Sequence, residues 1–437
     1  METLTLQPIR LISGTVRLPG SKSLSNRILL LAALAEGESR IENLLDSEDT
    51  RVMVAALRQM GVAVQGEPAA GALTIQGCGG ALPAEAARLH LGNAGTAMRP
   101  LTAVLAAGRG SYRLEGVARM HRRPIGDLVD GLRMLGARIE YGGERGFPPL
   151  RIEARGLKGG EAAISGQTSS QFLTALLLAA PLAGGEVRLQ IVDRLTSLPY
   201  VRMTLALMAR FGVEVERETE DFLRFSVPAG QRYRTPGRVH VEGDASSASY
   251  FLAGAAITGG RLRVEGCGRD SLQGDARFAE VLQRMGARVD WEPEAVTVTG
   301  TGGPLRAIDA DLSDMPDAAM TLAVAALFAS GPTTLRGISN WRVKETDRMA
   351  AVSSELHKLG ARTEVGERHL TVHPPPRLRR ATIATYDDHR MAMAFSLAAC
   401  GEVPVTIEEP GCVAKTFPDY FQVLQGVASA VAGEHDD

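Results

Sequence analysis

The chain has 437 residues, 45% of them hydrophobic, and its 48 Lys and Arg nearly balance 50 Asp and Glu, for a net charge of −2. That length exceeds one core and allows roughly two to four domains. The charge balance excludes a global basic field for nucleic acid, and the longest apolar runs, such as FLTALLLAAPLA, fall short of the roughly 18 residues that span a bilayer. The four cysteines, Cys78, Cys267, Cys400 and Cys412, lack metal-ligand or disulfide spacing and read as reduced thiols. The opening METLTLQPIR lacks a basic-then-apolar signal pattern. The expectation is a soluble cytoplasmic protein with a frayed GEHDD tail.

In chain order, the first element is a strand, LTLQPI, with no helix of its own; it is expected to complete a sheet in a second domain. One phrase then recurs six times: an apolar helix led by polar residues, a glycine, and an alternating strand. The copies are NRILLLAALAEGESRIENL, AMRPLTAVLAAGRGSYRLEGV, QFLTALLLAAPLAGGEVRLQIV, SYFLAGAAITGGRLRVEGC, AAMTLAVAALFASGPTTLRGI and RMAMAFSLAACGEVPVTIEEP. Their glycines are Gly37, Gly108, Gly184, Gly259, Gly331 and Gly401, so the period is 70–76 residues. A second helix follows in each copy, and in five it ends at a glycine: Gly61, Gly136, Gly212, Gly286 and Gly360. In the sixth, FPDYFQVLQG, the C-terminus cuts the unit short. A hairpin closes most units, as in VEVERETEDFLRFSV, and a short strand precedes the first helix, as in GRVHVEG. The unit reads βαβαββ.

The first helices are apolar nearly all round and should be buried. The strands alternate, so one sheet face should meet water. The expected fold is α/β with helices inside and sheets outside. Six such units make two domains of three, with the boundary in RYRTPGRVH. Residues 20–238 form one domain. Residues 1–19 and 239–437 form the other, and the two crossing segments act as a hinge.

Polar residues cluster at the starts of the buried helices: Gly20-Ser21-Lys22-Ser23 through Arg27, Gly92-Asn93 through Arg99, Thr168-Ser169-Ser170-Gln171, Asp244 through Ser247, Asp314 through Asp317, and Asp387-Asp388-His389-Arg390. Capping explains Ser169, Ser246 or Asp314. It does not explain Lys22, Arg27, Arg99 or Arg390, because cations in a first turn oppose the helix dipole; an external anion is expected there. Gly20, Gly92 and Gly95 would let backbone N–H groups approach a phosphate. The second helices begin in HRRPIGDL, LTSLPYVR, NWRVKETDRM and VAKTFPDY, adding Arg122, Arg123 and Lys415. Pro124 and Pro199 suit a first turn. WRVKETDR would set Lys344 and Arg348 on one helix face, beside Glu345 and Asp347.

Together LPGSKSLSNR, LGNAGTAMRPL, RRPIG, SSQFLTALL, EGDASSASYFLA, DMPDAAMTLA, NWRVKETDRM, YDDHRMAM and KTFPDYF resemble the 5-enolpyruvylshikimate-3-phosphate synthase family of enolpyruvyl transferases, over nearly the whole chain. The resemblance implies two inside-out α/β domains. It also implies transfer of the enolpyruvyl group of phosphoenolpyruvate to the 5-hydroxyl of shikimate 3-phosphate, with release of phosphate and without metal or organic cofactor. Carried over, Lys22, Ser23, Arg27, Ser169, Ser170, Gln171, Ser197, Tyr200, Asp317, Asn340 and Lys344 hold shikimate 3-phosphate. Lys22, Gly95, Arg123, Gln171, Arg348, Arg390 and Lys415 hold phosphoenolpyruvate. Asp317 is the expected base at the 5-hydroxyl; Glu345 and Lys22 are candidates for the proton donor, with Asp49 and His389 assisting. Gly95 to Pro100 match the glyphosate-sensitive pattern.

Because the expected binding residues come from both domains, closure around the substrates is expected; a monomer is expected because no long apolar surface stripe stands out. The nearest rival is the transferase acting on UDP-N-acetylglucosamine. That family usually carries a reactive cysteine where this chain has RMHRRPIG, without one. The other rival is a non-catalytic anion-binding repeat protein, which has no need of Asp317 and Glu345.

Overall fold

The computed structural model describes residues 2–219 and 221–430; the GEHDD tail lies outside them. None of the described helices is long and apolar enough to cross a membrane. Contacts divide the chain into two compact units: Gly20–Val241, and the residues up to Pro19 together with those from Glu242.

In the first unit, the helices that open the three repeats are α1 (Lys22–Leu34), α3 (Gly95–Ala107) and α5 (Ser170–Ala179); each is followed by an amphipathic partner, α2 (Glu48–Gln59), α4 (Gly126–Met134) and α6 (Leu198–Arg210). All of α1 except Ser23 is buried. α3 packs on both α1 and α5. Helix α2 instead buries one face, Met53, Val54, Ala56 and Leu57, and turns Arg51 and Arg58 outward. Burying a Leu- and Ala-rich cylinder on all sides removes most of its apolar surface from water, at about 25 cal/mol per Å². Most strands bury alternate residues, as in Val187–Ile191, although Phe225–Val227 are buried in succession. Three four-stranded sheets result, one per repeat.

The second unit repeats the plan with α7 (Ala245–Thr258), α8 (Phe278–Arg284), α9 (Ala319–Ala325), α10 (Arg348–Lys358), α11 (His389–Ser396) and α12 (Tyr420–Val427). Helix α7 is buried from Ala245 to Ala256. The five glycines ending the second helices all have positive φ, from 79° at Gly212 to 109° at Gly286, one residue past the helix cap. That left-handed residue closes the helix end at no Cβ penalty, which is why glycine recurs there.

One pairing differs from the sequence expectation. The strand Arg238–His240, from GRVHVEG, precedes the helix of the fourth repeat in sequence, yet it pairs parallel with Glu38–Glu42 of the first. The fourth repeat takes Gly14–Arg17 instead, parallel to Arg261–Glu265. Each crossing segment thus completes a sheet in one unit and then feeds a helix of the other. Two short alternating strands of similar pattern are interchangeable by sequence; only the parallel crossover identifies the partner. The opening strand Thr3–Leu6 pairs antiparallel with Val405–Glu408 of the sixth repeat.

Candidate active site

In the first unit the predicted residues gather at helix starts. Lys22 is the first residue of α1, and its Nζ lies 3.6 Å from Asp49 Oδ2 on α2. Thr96 Oγ1 donates to the same carboxylate oxygen at 3.2 Å, and Asn26 Nδ2 donates to Thr96 Oγ1 at 2.7 Å. Asp49 therefore ties the starts of α1, α2 and α3 together. Lys22 thus already faces one carboxylate of the chain itself.

Arg27 is different. It is buried, donates from Nε to Thr204 Oγ1 at 2.8 Å and from Nη1 to the Ser23 carbonyl at 3.0 Å, and forms no ion pair with a carboxylate among the described residues. Burial pulls its pKa down to about 10, partly opposed by Tyr200. Arg123, also buried, gives Nη1 to the Asn93 carbonyl at 3.0 Å and to Asn93 Oδ1 at 3.1 Å, while its Nε has no partner among the described residues. A guanidinium desolvated without a counter-charge is costly, and an incoming carboxylate or phosphate relieves that cost.

Gly95 opens α3 beside Arg99 and Arg123. A Cβ there would lie 2.5 Å from Arg99 Nη1 and 2.9 Å from Arg123 Nη2. Ser169 caps α5 by accepting from the Gln171 N–H at 3.2 Å, and Ser170 is buried in the first turn. Ser197 precedes α6 with φ of 57° and is buried. Tyr200 follows in the first turn of α6, half-buried.

In the second unit one carboxylate sits among three cations. Asp317 Oδ1 accepts from Arg348 Nη1 at 2.7 Å and lies 3.6 Å from Lys344 Nζ; Oδ2 accepts from Arg390 Nη2 at 3.0 Å. Burial works to raise the Asp317 pKa, but Arg390, Lys344 and Arg348 together hold it well below the usual carboxylate range. Arg348, 1% exposed, also gives Nε to Asp388 Oδ2 at 2.7 Å and Nη2 to Glu345 Oε2 at 2.9 Å. Burial works against its charge, yet Asp388, Glu345 and Asp317 leave its pKa raised. Asp388 caps α11 by accepting from the Arg390 N–H at 3.0 Å. The fully buried His389 has Nδ1 3.6 Å from Asp388 Oδ1.

Two predicted residues are placed by turns. Asn340 lies on the 3₁₀ turn Ser339–Val343, tied to the Asp317 loop by Trp341 Nε1 donating to the Pro316 carbonyl at 2.7 Å. Lys415 ends the 3₁₀ turn Pro410–Lys415, packed on α11. Two local expectations change. Lys344 and Arg348 do not share a helix face: Lys344 is extended, Asp347 is the N-cap, and α10 begins at Arg348. They converge on Asp317 through the turn instead. Asp314 is not the N-cap of α9, which is Ala318, and Ser246 bonds Asp275 rather than its own helix.

Sequence reasoning missed Asp388 as the main partner of Arg348, and Asn93, Thr204 and Tyr250 as arginine partners. Asp388 stood in the flagged DDHR start, which was the available signal. Nothing in the sequence marked Thr204 or Tyr250.

Helix starts lined with desolvated arginines, and a carboxylate held ionised by three cations, define an enzyme for small anionic substrates built on a repeated inside-out α/β unit. The sequence model of EPSP synthase (3-phosphoshikimate 1-carboxyvinyltransferase) matches residues 6–424. The chain is 57% identical to the chloroplastic 3-phosphoshikimate 1-carboxyvinyltransferase of Brassica napus, covering 97% of this chain and 85% of that protein. It is also 57% identical to the enzyme of that name from Cupriavidus necator, covering 98% of this chain and 100% of the other. Among solved structures, EPSP synthase from Acinetobacter baumannii superposes with a TM-score of 0.81 at 28% identity, over 98% of this chain and 99% of that one. The chain belongs to the EPSP synthase family.

Proposed function

We propose that the two clusters divide the work of one reaction. The chain is an enolpyruvyl transferase: it moves the carboxyvinyl group of phosphoenolpyruvate to the 5-hydroxyl of shikimate 3-phosphate and releases phosphate. Arg27 and Ser23 receive the shikimate carboxylate; Ser169, Ser170 and Ser197 receive its phosphate; Tyr200 flanks the ring. Asn340, Lys344 and Asp317 handle the ring hydroxyls. Gln171 and Lys22 touch both substrates. Phosphoenolpyruvate is held by Arg123, Arg348, Arg390 and Lys415, beside Gly95. Arginine forks suit these planar or tetrahedral anions because they bind two oxygens at once.

A proton goes to the methylene carbon of phosphoenolpyruvate, leaving an oxocarbenium-like centre beside it. The 5-hydroxyl oxygen attacks that centre and passes its proton to Asp317. The tetrahedral adduct then loses phosphate and a methyl proton, giving the enol ether. Glu345 or Lys22 supplies the first proton. Once Arg348 takes up an anionic substrate, its hold on Glu345 and Asp317 weakens, and both become better proton carriers. General acid–base catalysis contributes roughly 10²–10⁴-fold, so charge stabilisation and positioning supply much of the rest.

The supporting observation is the Asp317 carboxylate bonded at 2.7 Å and 3.0 Å to two arginines and flanked by Lys344. The test is phosphate release from phosphoenolpyruvate with shikimate 3-phosphate, against UDP-N-acetylglucosamine as control acceptor. Turnover with the control alone would overturn the assignment. Each cluster is incomplete by itself, so the reading includes closure on shikimate 3-phosphate about the two crossing segments, in a cytoplasmic monomer. Small-angle scattering is expected to show a smaller radius of gyration when that substrate is added; an unchanged radius refutes closure.

Glyphosate is expected to compete with phosphoenolpyruvate. Gly95→Ala is expected to raise the glyphosate inhibition constant by roughly tenfold or more and also to raise KM for phosphoenolpyruvate, because the added methyl displaces the Arg99 and Arg123 guanidiniums. Inhibition and KM measured side by side check this, and equal inhibition of both proteins would refute it.

A further inference from the structure

We propose that Asp275, which the reading above does not use, is a positioning residue for the transfer: its carboxyl group sets how strongly Asp317 holds a proton. The inference rests on Asp317 being the base at the 5-hydroxyl.

Asp275 lies on the 3₁₀ turn Gly274–Arg277 that leads into α8, and it is 4% exposed. Its Oδ2 accepts a short hydrogen bond from Ser246 Oγ on α7; its Oδ1 has no hydrogen-bond partner among the described residues. Four residues along the same face of α7, the Tyr250 hydroxyl accepts from Arg390 Nη1 at 3.3 Å, and Arg390 Nη2 donates to Asp317 Oδ2 at 3.0 Å. One helix face therefore touches both Asp275 and the arginine that holds the base.

The charged groups facing Asp275 are Asp317 before α9, Arg390 on α11 and Asp244 at the head of α7. Helix α8 buries only Phe278, Ala279, Val281 and Leu282, and Arg277 turns outward to Glu280. Burial first, and then the Asp317 charge, raise the Asp275 pKa to about 7, against the pull of the Ser246 hydrogen bond and Arg390. The coupling is reciprocal. Ionised Asp275 adds negative charge near the Asp317–Arg390 pair, and that raises the proton affinity of the base. Protonated Asp275 does not. The strength of the base therefore rises with pH as Asp275 ionises.

The test is the pH profile of kcat at saturating substrates for the full chain and for Asp275→Asn, which keeps an acceptor for Ser246. The substrates' own phosphate ionisations are common to both proteins, so the difference isolates Asp275. The wild-type rate is expected to climb through the ionisation of Asp275. The variant is expected to lose that limb and to fall roughly 3- to 10-fold behind at pH values above it. Superimposable profile shapes overturn the inference. Should the variant not fold, Ser246→Ala removes the bond that favours ionised Asp275 and is expected to move the same limb upward by roughly half a pH unit; an unmoved limb overturns the inference equally. Asp317→Asn, run alongside, separates the two levels: if it turns over at near wild-type rate, the assignment of the base fails and this inference falls with it. If it is inactive while the Asp275→Asn profile is unchanged, only this inference falls.

Discussion

Asp317→Asn is expected to lower kcat by roughly 10²–10⁴-fold while leaving KM for phosphoenolpyruvate unchanged or reduced. Asparagine keeps the shape of the side chain and can still accept a hydrogen bond, but it cannot take the 5-hydroxyl proton. It also removes the negative charge that now engages Arg390, Arg348 and Lys344. Those cations then meet the donor substrate with less competition, so ground-state binding is not weakened. A collapse in kcat without a rise in KM marks an interaction that matters only as the transition state forms. The fold should survive, because Arg348 keeps Asp388 and Glu345, and Arg390 keeps Tyr250. Steady-state kinetics with both substrates varied decides it. A kcat within tenfold of wild type would refute Asp317 as the base.

Arg348→Met is expected to cost about 3–5 kcal/mol of stability, the range for breaking a buried ion pair by removing one partner. Arg348 is essentially inaccessible and is the shared donor to Asp388, Glu345 and Asp317. Methionine fills the volume but leaves three carboxylates without their common counter-charge. The loss should depend on pH in a definite direction. The cations beside Asp317, Arg348 among them, hold its pKa below the unfolded value. The stability this supplies is present above the unfolded pKa, about 3.9, and is lost as pH falls through the lower folded value. The gap between wild type and variant should therefore be widest from neutrality down to about pH 4 and narrow only below that, as pH falls toward the lower folded value. Thermal unfolding of both proteins across that range measures it. A gap that stays constant with pH would show that lost packing, not charge, is the cause. Arg348→Lys restores the charge without the fork and is expected to recover part of the stability but little of the rate.

Much of this could be read from the chain because it depends on local periodicity. Glycine follows five second helices because the residue past a helix end adopts positive φ, and that rule acts within one turn. The all-apolar α1 and α7 and the alternating strands made the buried and exposed layers predictable. The polar starts carried the site: Lys22 and Arg348 open helices, Ser169 caps one, and Arg390 is the second residue of α11. What misled was also local. The i, i+4 spacing of Lys344 and Arg348 matched a helix face, but a 3₁₀ turn and the Asp347 cap interrupt it.

By itself, then, the sequence determined the repeating unit, the layer order and the residues at the helix starts, since each follows from side-chain character within a few residues of its neighbours. The tertiary structure alone decided that Arg238–His240 belongs with Glu38–Glu42, that Asp49 answers Lys22, and that Asp388 and Asp317 share Arg348. Strand partners and counter-ions are chosen by groups brought together from distant parts of the chain. A buried charge is stabilised by whichever opposite charge is nearest in space, and distance along the chain carries no information about that.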